Sequence, residues 1–295
     1  MSDLHEADAG EAASATPDPA ETDADATDPV FGFIAGVYAG ALLAPAVTIL
    51  ASLGLTDDPA TLFFSFFGSV LSFAVLVSWV ARRESVGPRI GRSQWVWLAV
   101  VAPFGYGAVM LGGIAAGFRG AFVGASMAGM IAGMFTGMGF AVAARNRYAR
   151  AALDGSEEYV RFDARAPERD RRLHYAGLAV LGTVALAGPV LAALTDVDAG
   201  QDLFVYLLPF IGGLLGLTSR RTYAVTDAGL LADQGVSKNL RAWDQFEGFS
   251  VTDDAVVVRR TGWSAFGLRD VRRDATDLED VEAVADALAK FLPRK

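Results

Sequence analysis

His5 and His174 are the only imidazoles in the chain, and there is no cysteine. Zinc and haem sites need several nitrogen or sulfur ligands brought together. Neither histidine has such a neighbour in sequence, and without cysteine there is no disulfide framework or thiol chemistry. No serine sits in a pattern that would pair it with a histidine and a carboxylate. No glycine loop ends in Gly-Lys-Ser or Gly-Lys-Thr, so no phosphate cradle of that kind is indicated. Asp253-Asp254 reads as a solvated turn, and the acids of 277–280 as a helix start, where negative charge favours the dipole. These residue types point away from an enzyme. They assign no catalytic residue, no metal ligand and no cofactor.

Glycine is the residue whose spacing is organised. Gly129, Gly133 and Gly137 recur every four residues, with Gly120 and Gly124 in a second row and Gly113 and Gly117 on the preceding segment. A four-residue repeat lies on one helix face, and a face without side chains lets backbones approach closely. The region resembles the glycine-zipper hairpins of many membrane proteins. The seven glycines are therefore expected to be helix-packing residues, within one chain or between copies. Met127, Met130, Met134 and Met138 thread the same segment.

The elements that carry them are apolar stretches of membrane-crossing length. A hydrocarbon core of about 30 Å takes roughly 20 helical residues. Six stretches qualify, 30–55, 62–81, 95–118, 121–144, 175–194 and 203–218, and none contains a charged side chain. Lipid leaves backbone groups no partner but the helix itself. Read as one helix, 95–144 would be about 75 Å long, so a hairpin is predicted at Gly117-Phe118-Arg119-Gly120. A conducting path for ions usually shows intramembrane charge, and these spans have none.

Arginines set the orientation. Arg82, Arg83, Arg89 and Arg92 follow the second stretch, eight arginines lie in 145–173, and Arg220 and Arg221 follow the sixth. The connections 56–61 and 195–202 have no basic residue. By the positive-inside rule both termini are cytoplasmic, in the cell membrane. Trp79, Trp95 and Trp97 fall at the same predicted interface. Loop 145–173 reads as a topology-setting connection, with an interfacial segment as the alternative and a helix start at Ser156-Glu157-Glu158. Residues 1–29 carry nine acids, equal to the net charge of −9, and no Lys or Arg. They are expected to be a disordered tail with no signal-peptide n-region, so the first span would serve as an uncleaved anchor. The acidic, lysine-poor composition resembles that of salt-adapted proteins.

Past Arg221 the period becomes strand-like. Strands are predicted at 222–226, 230–233, 239–243, 249–252, 255–259 and 265–268. A C-terminal helix follows, with Leu278, Val281, Val284, Leu288 and Phe291 on one face and a capping box from Thr276 to Glu279. Residues Tyr223–Leu230, Ala242–Phe246, Val256–Val258 and the terminal helix resemble the short PH-like domains of prokaryotic membrane proteins. The resemblance implies a protein- or lipid-contacting module. The first hairpin carries Asp227 and Asp233 and no basic residue, a departure from headgroup-binding PH domains. Trp243 is expected in the core. Trp263, with Arg269, Arg272 and Arg273, is a candidate partner or membrane contact.

The predicted architecture is a membrane α-helical bundle of six transmembrane helices (30–218) after the tail (1–29), with a small α+β PH-like cytoplasmic domain (219–295). The expected function is non-enzymatic: presenting that module for scaffolding, assembly or regulation. A channel or facilitator built on the glycine-rich helices is the alternative. The expected partners are the lipid bilayer and either a protein or further copies of the chain, with no nucleic acid.

Overall fold

The structure is a computed structural model that describes residues 28–83, 85–195, 212, 220–262 and 270–295. Helix α1 (Pro29–Gly54) and helix α2 (Pro59–Ala81) start alike, each with an Asp N-cap followed by proline. Asp28 accepts from the Phe31 amide at 3.0 Å and Asp58 from the Thr61 amide at 2.9 Å. A carboxylate satisfies an otherwise orphan amide, and proline at the first helical position has no amide to lose. α1 lies against α2 through Gly32, Gly36 and Gly40. A methyl group at Gly32 would sit 2.7 Å from the Ser78 carbonyl, and one at Gly40 2.9 Å from the Val70 carbonyl. This second four-residue glycine row is as visible in the sequence as the first, and it belongs to the opening hairpin.

A short helix, α3 (Val86–Arg92), leads into a 3₁₀ turn (Gln94–Trp97), α4 (Leu98–Val101) and α5 (Phe104–Ala115). Pro103 separates α4 from α5, because its ring removes an amide and crowds the preceding turn. Pro45, by contrast, sits inside continuous α1. The turn 117–120 lies where the hairpin was predicted, with Gly117 at φ 90° and Gly120 at φ 59°. These left-handed conformations suit glycine. Helix α6 (Ala121–Leu153) follows.

Among the described residues, four helical stretches are long and apolar enough to cross a membrane: Pro29–Gly54, Pro59–Ala81, Trp95–Ala115 and Ala121–Leu153. The six expected spans are thus four here. The fifth, 175–194, lies within helix α7 (Glu168–Thr195), whose first turn is polar. The sixth, 203–218, lies outside the described residues except for Gly212, and residues 1–27 of the expected tail lie outside them too.

The sheet region is antiparallel throughout. Strands β1 (Glu158–Ala164), β2 (Arg221–Thr226), β3 (Gly229–Asp233) and β4 (Lys238–Arg241) form one sheet in that order. Strands β5 (Phe246–Val251), β6 (Ala255–Arg260) and β7 (Val271–Asp274) form the second. Helix α8 (Val281–Ala289) closes the core, where Tyr223, Val225, Phe249, Val284 and Leu288 are fully buried. Trp243 belongs to that core: its indole donates to the Thr226 carbonyl at 2.9 Å and stacks on Phe291 at 4.8 Å.

Two local expectations are corrected. Ser156-Glu157-Glu158 opens a strand, not a helix, and the loop 145–173 is in part strand. Tyr159, Val160 and Phe162 favour extended backbone, and β2 supplies the ladder, with Phe162 opposite Tyr223 and Ala164 opposite Arg221. The sheet is therefore not confined to 219–295. The capping box at Thr276 is replaced by Asp280, which accepts from the Ala283 amide at 2.9 Å. Thr276 is held instead in a 3₁₀ turn by Asp274. The strand expected at 265–268 lies outside the described residues.

Candidate functional site

Helix α6 links the membrane helices to the sheet. At 33 residues it is about 50 Å long, longer than a hydrocarbon core of about 30 Å, and its last turns pack on the sheet. There Ala149 is fully buried against Ala224, Leu231 and Leu240. Asn146 ties down the β3–β4 connection. Its amide donates to the Val236 carbonyl at 2.8 Å, and its oxygen accepts from the Lys238 amide at 2.6 Å. The next residue, Arg147, pairs with Asp28 through contacts of 2.5 and 2.7 Å. The Asp28 amide in turn donates to the Arg82 carbonyl at 2.6 Å. The start of α1, the end of α2, the far end of α6 and the sheet thus share one end of the molecule.

Asp28 both caps α1 and neutralises Arg147, so replacing it should act twice. Asp28→Ala is expected to destabilise the protein by about 2–4 kcal/mol, from a lost cap and a stranded guanidinium. Asp28→Asn keeps the cap and should cost less than Asp28→Ala. Thermal unfolding of both variants in detergent checks the order.

Between α3, α6 and the sheets lies a cleft of about 500 Å³. Six arginines line it, each from a different element: Arg92 (α3), Arg145 (α6), Arg221 (β2), Arg241 (β4), Arg260 (β6) and Arg273 (β7). No carboxylate is among its described lining residues. Ser93, Ser237 and Asn239 add neutral hydrogen-bonding groups. Arg145 lies 4.6 Å from the centre of the Trp97 ring, and Arg273 4.7 Å from that of Tyr223. Both geometries fit cation–π contacts, which hold a guanidinium in place without cancelling its charge. The Gln234 amide, with its oxygen turned toward Arg221, accepts from that guanidinium. Among the described residues Arg92, Arg145, Arg241 and Arg273 make no ion pair.

The charges act on each other. Burial, then the neighbouring Arg260, push Arg241 down to about 10, with Arg145 and Arg273 adding to the effect and Tyr223 opposing it. Burial is also the main cause that lowers Arg273, with Arg221 contributing and Tyr223 and Asp170 opposing. Arg241 at about 10 stays protonated at neutral pH. The cleft is a concentration of positive charge, with no carboxylate among its described lining residues.

The structure gathers the expected site residues unevenly. Arg273 is in the cleft, whereas Arg272 on the same strand is not. Trp263 and Arg269 lie outside the described residues. Gly129, Gly133 and Gly137 line the buried face of α6, which meets α1 and the α4–α5 segment. A methyl group at Gly129 would fall 3.0 Å from Pro45, and one at Gly133 2.9 Å from Pro103. One at Gly137 would meet the Ala99 carbonyl. Gly113 packs on the Phe122 ring, Gly117 and Gly120 form the turn, and Gly124 faces open space. Sequence reading missed the cleft itself. Arg92, Arg145 and Arg221 look like topology signals in a linear count, and nothing in the spacing of Arg241 or Arg260 links them to the helices.

No protein-family model matches the chain, and comparison with curated proteins and with solved structures finds no similar one.

Proposed function

We propose that this is a non-enzymatic integral membrane protein that presents a PH-like cytoplasmic module for scaffolding, assembly or regulation. The observation that carries it is the architecture of that module: a four-stranded and a three-stranded antiparallel sheet, one C-terminal helix, and direct packing onto the end of α6. A small antiparallel sheet region closed by one amphipathic C-terminal helix is what the resemblance to PH-like domains implies.

The pairing of β1 with β2 also supports an even number of crossings between them, as the reading with six crossings requires. Ala164 and Arg221 are opposite each other in one sheet, so the chain between them leaves and returns on the same side. If α7 crosses the bilayer, a second crossing must follow before Arg221, and 203–218 is the apolar stretch available. The membrane segment is then an insertion between the first two strands of the module. No observation favours the channel alternative, because side chains of α1, α4 and α5 cover the α6 glycine strip within one copy.

Affinity purification of the full-length protein in mild detergent at high salt, followed by mass spectrometry, tests the reading. A stoichiometric second protein that is lost when residues 220–295 are removed supports it. Recovery of the chain with lipid alone, together with solute flux in proteoliposomes, would overturn it.

A further inference from the structure

We infer that the arginine-lined cleft is a binding site for a polyanion carrying at least two phosphate groups, seated where the helical bundle meets the sheet module. This inference stands whatever protein the module contacts. Three observations carry it. The lining holds six guanidiniums and no carboxylate among the described residues. The volume of about 500 Å³ lies within the range of small-molecule sites, roughly 300–1,000 Å³, and is far larger than one phosphate needs. The six arginines come from six separate elements, so their convergence is a product of the fold and not of a basic run in the chain.

The chemistry follows from the guanidinium. It is a planar fork of donors that matches phosphate oxygens bidentately and is weakly hydrated for a cation. Half-buried guanidiniums held side by side repel one another, and a bound polyanion would turn that repulsion into attraction. A phosphate monoester offers several acceptor oxygens and close to two negative charges near neutral pH, and a phosphodiester offers one charge and two free oxygens. Two such groups therefore engage four or more arginines. Ser93, Ser237 and Asn239 would serve the remaining oxygens.

The position adds a mechanical consequence. Arg92 and Arg145 belong to the helical part, whereas Arg221, Arg241, Arg260 and Arg273 belong to the sheets. An anion between them clamps the module to the bundle. Without it, the two sets of charges oppose the docking that Ala149 and Asn146 provide. The cleft borders Trp97, which is half exposed near one end of an apolar crossing. A diphosphate lipid headgroup reaches such a place from the bilayer, and a soluble diphosphate reaches it from the aqueous side. The phosphate chemistry is common to both.

The test uses the full-length protein and reads its thermal unfolding by tryptophan fluorescence. One arm adds inorganic pyrophosphate to protein in neutral-lipid nanodiscs, against chloride at matched ionic strength. The other arm compares nanodiscs containing cardiolipin, a lipid with two phosphates, with discs carrying the same charge as phosphatidylglycerol. Saturating ligand should raise the unfolding temperature by about 5–10 °C, the order expected at a hundredfold the Kd. A response to pyrophosphate alone assigns a free phosphate ligand, and a response to cardiolipin alone assigns a headgroup. Arg241→Gln and Arg273→Gln should abolish the response, and Arg241→Gln should leave the ligand-free protein as stable as before or more so, because it removes a repelling charge. No response in either arm beyond the charge-matched controls would overturn the inference. So would equal responses in the wild type and both variants.

Discussion

A chain made of residues 156–166 joined to 220–295 through a turn of about four residues should fold cooperatively, whereas residues 219–295 alone should not. The first contains all seven strands and the second lacks β1. Ala164 is fully buried in the sheet core, and Tyr159, Val160 and Phe162 pack against that core. Phe162 stacks on Tyr223 at 5.5 Å, and Tyr159 lies 5.4 Å from Phe291 at the end of the chain. Burying side chains of this size contributes roughly 1.5–3 kcal/mol each. Losing these three partly buried side chains together with the fully buried Ala164 removes a large part of the stability of a small domain, about 5–15 kcal/mol. It also leaves β2 as an open edge. The pairing of Ala164 with Arg221 places the two strand ends side by side, so a short turn can replace the membrane segment without changing the register. Far-ultraviolet circular dichroism and amide dispersion in NMR spectra read the difference. Work at low concentration is needed, since Leu231 and Leu240 lose their cover from α6. A folded 219–295 fragment of equal stability would show that β1 is an accessory.

Gly137→Leu should prevent α6 from seating in the bundle, whereas Gly124→Leu should leave stability within about 0.5 kcal/mol, as surface substitutions do. Both glycines look equivalent in the sequence, one row apart on the same helix. At Gly137 the added Cβ meets the Ala99 carbonyl and comes within 3.1 Å of the Tyr38 ring. Backbone cannot swing away as a flexible side chain can. The helices must separate, which forfeits the neighbouring close contacts at Gly129 and Gly133 as well. Overpacking typically costs 1–3 kcal/mol, and a clash with backbone in a closely packed bundle should exceed about 3 kcal/mol. At Gly124 no atom lies within 4 Å, and a leucine there faces the same environment as Met127, Ile131 and Phe135, which are exposed. Thermal unfolding with size-exclusion chromatography in detergent separates the cases. If Gly124→Leu left folding intact but shortened an oligomer to a monomer, the exposed face would be a contact between copies.

The amino-acid sequence by itself determined the helical elements of the membrane region. Four helices long and apolar enough to cross a membrane and the hairpin turn at 117–120 follow from local composition, because lipid imposes helix on any apolar run of sufficient length. It also carried strands β2, β3, β5 and β6 and the C-terminal helix, whose apolar periods are set by neighbours a few residues away. The seating of the glycines needed partners that only the fold supplies. Gly137 and Gly124 differ in what stands opposite them, and that is decided by α1 and α4. β1 was illegible for the same reason. Its residues 156–158 read as a helix start until β2, which follows only after α7, provides a ladder for Tyr159–Ala164. The cleft is the extreme case. Its six arginines lie between positions 92 and 273, and in a linear reading several of them count as topology signals. Charge acts through space, so a site built from one residue per element leaves no spacing in the chain and exists only once the sheet docks on α6.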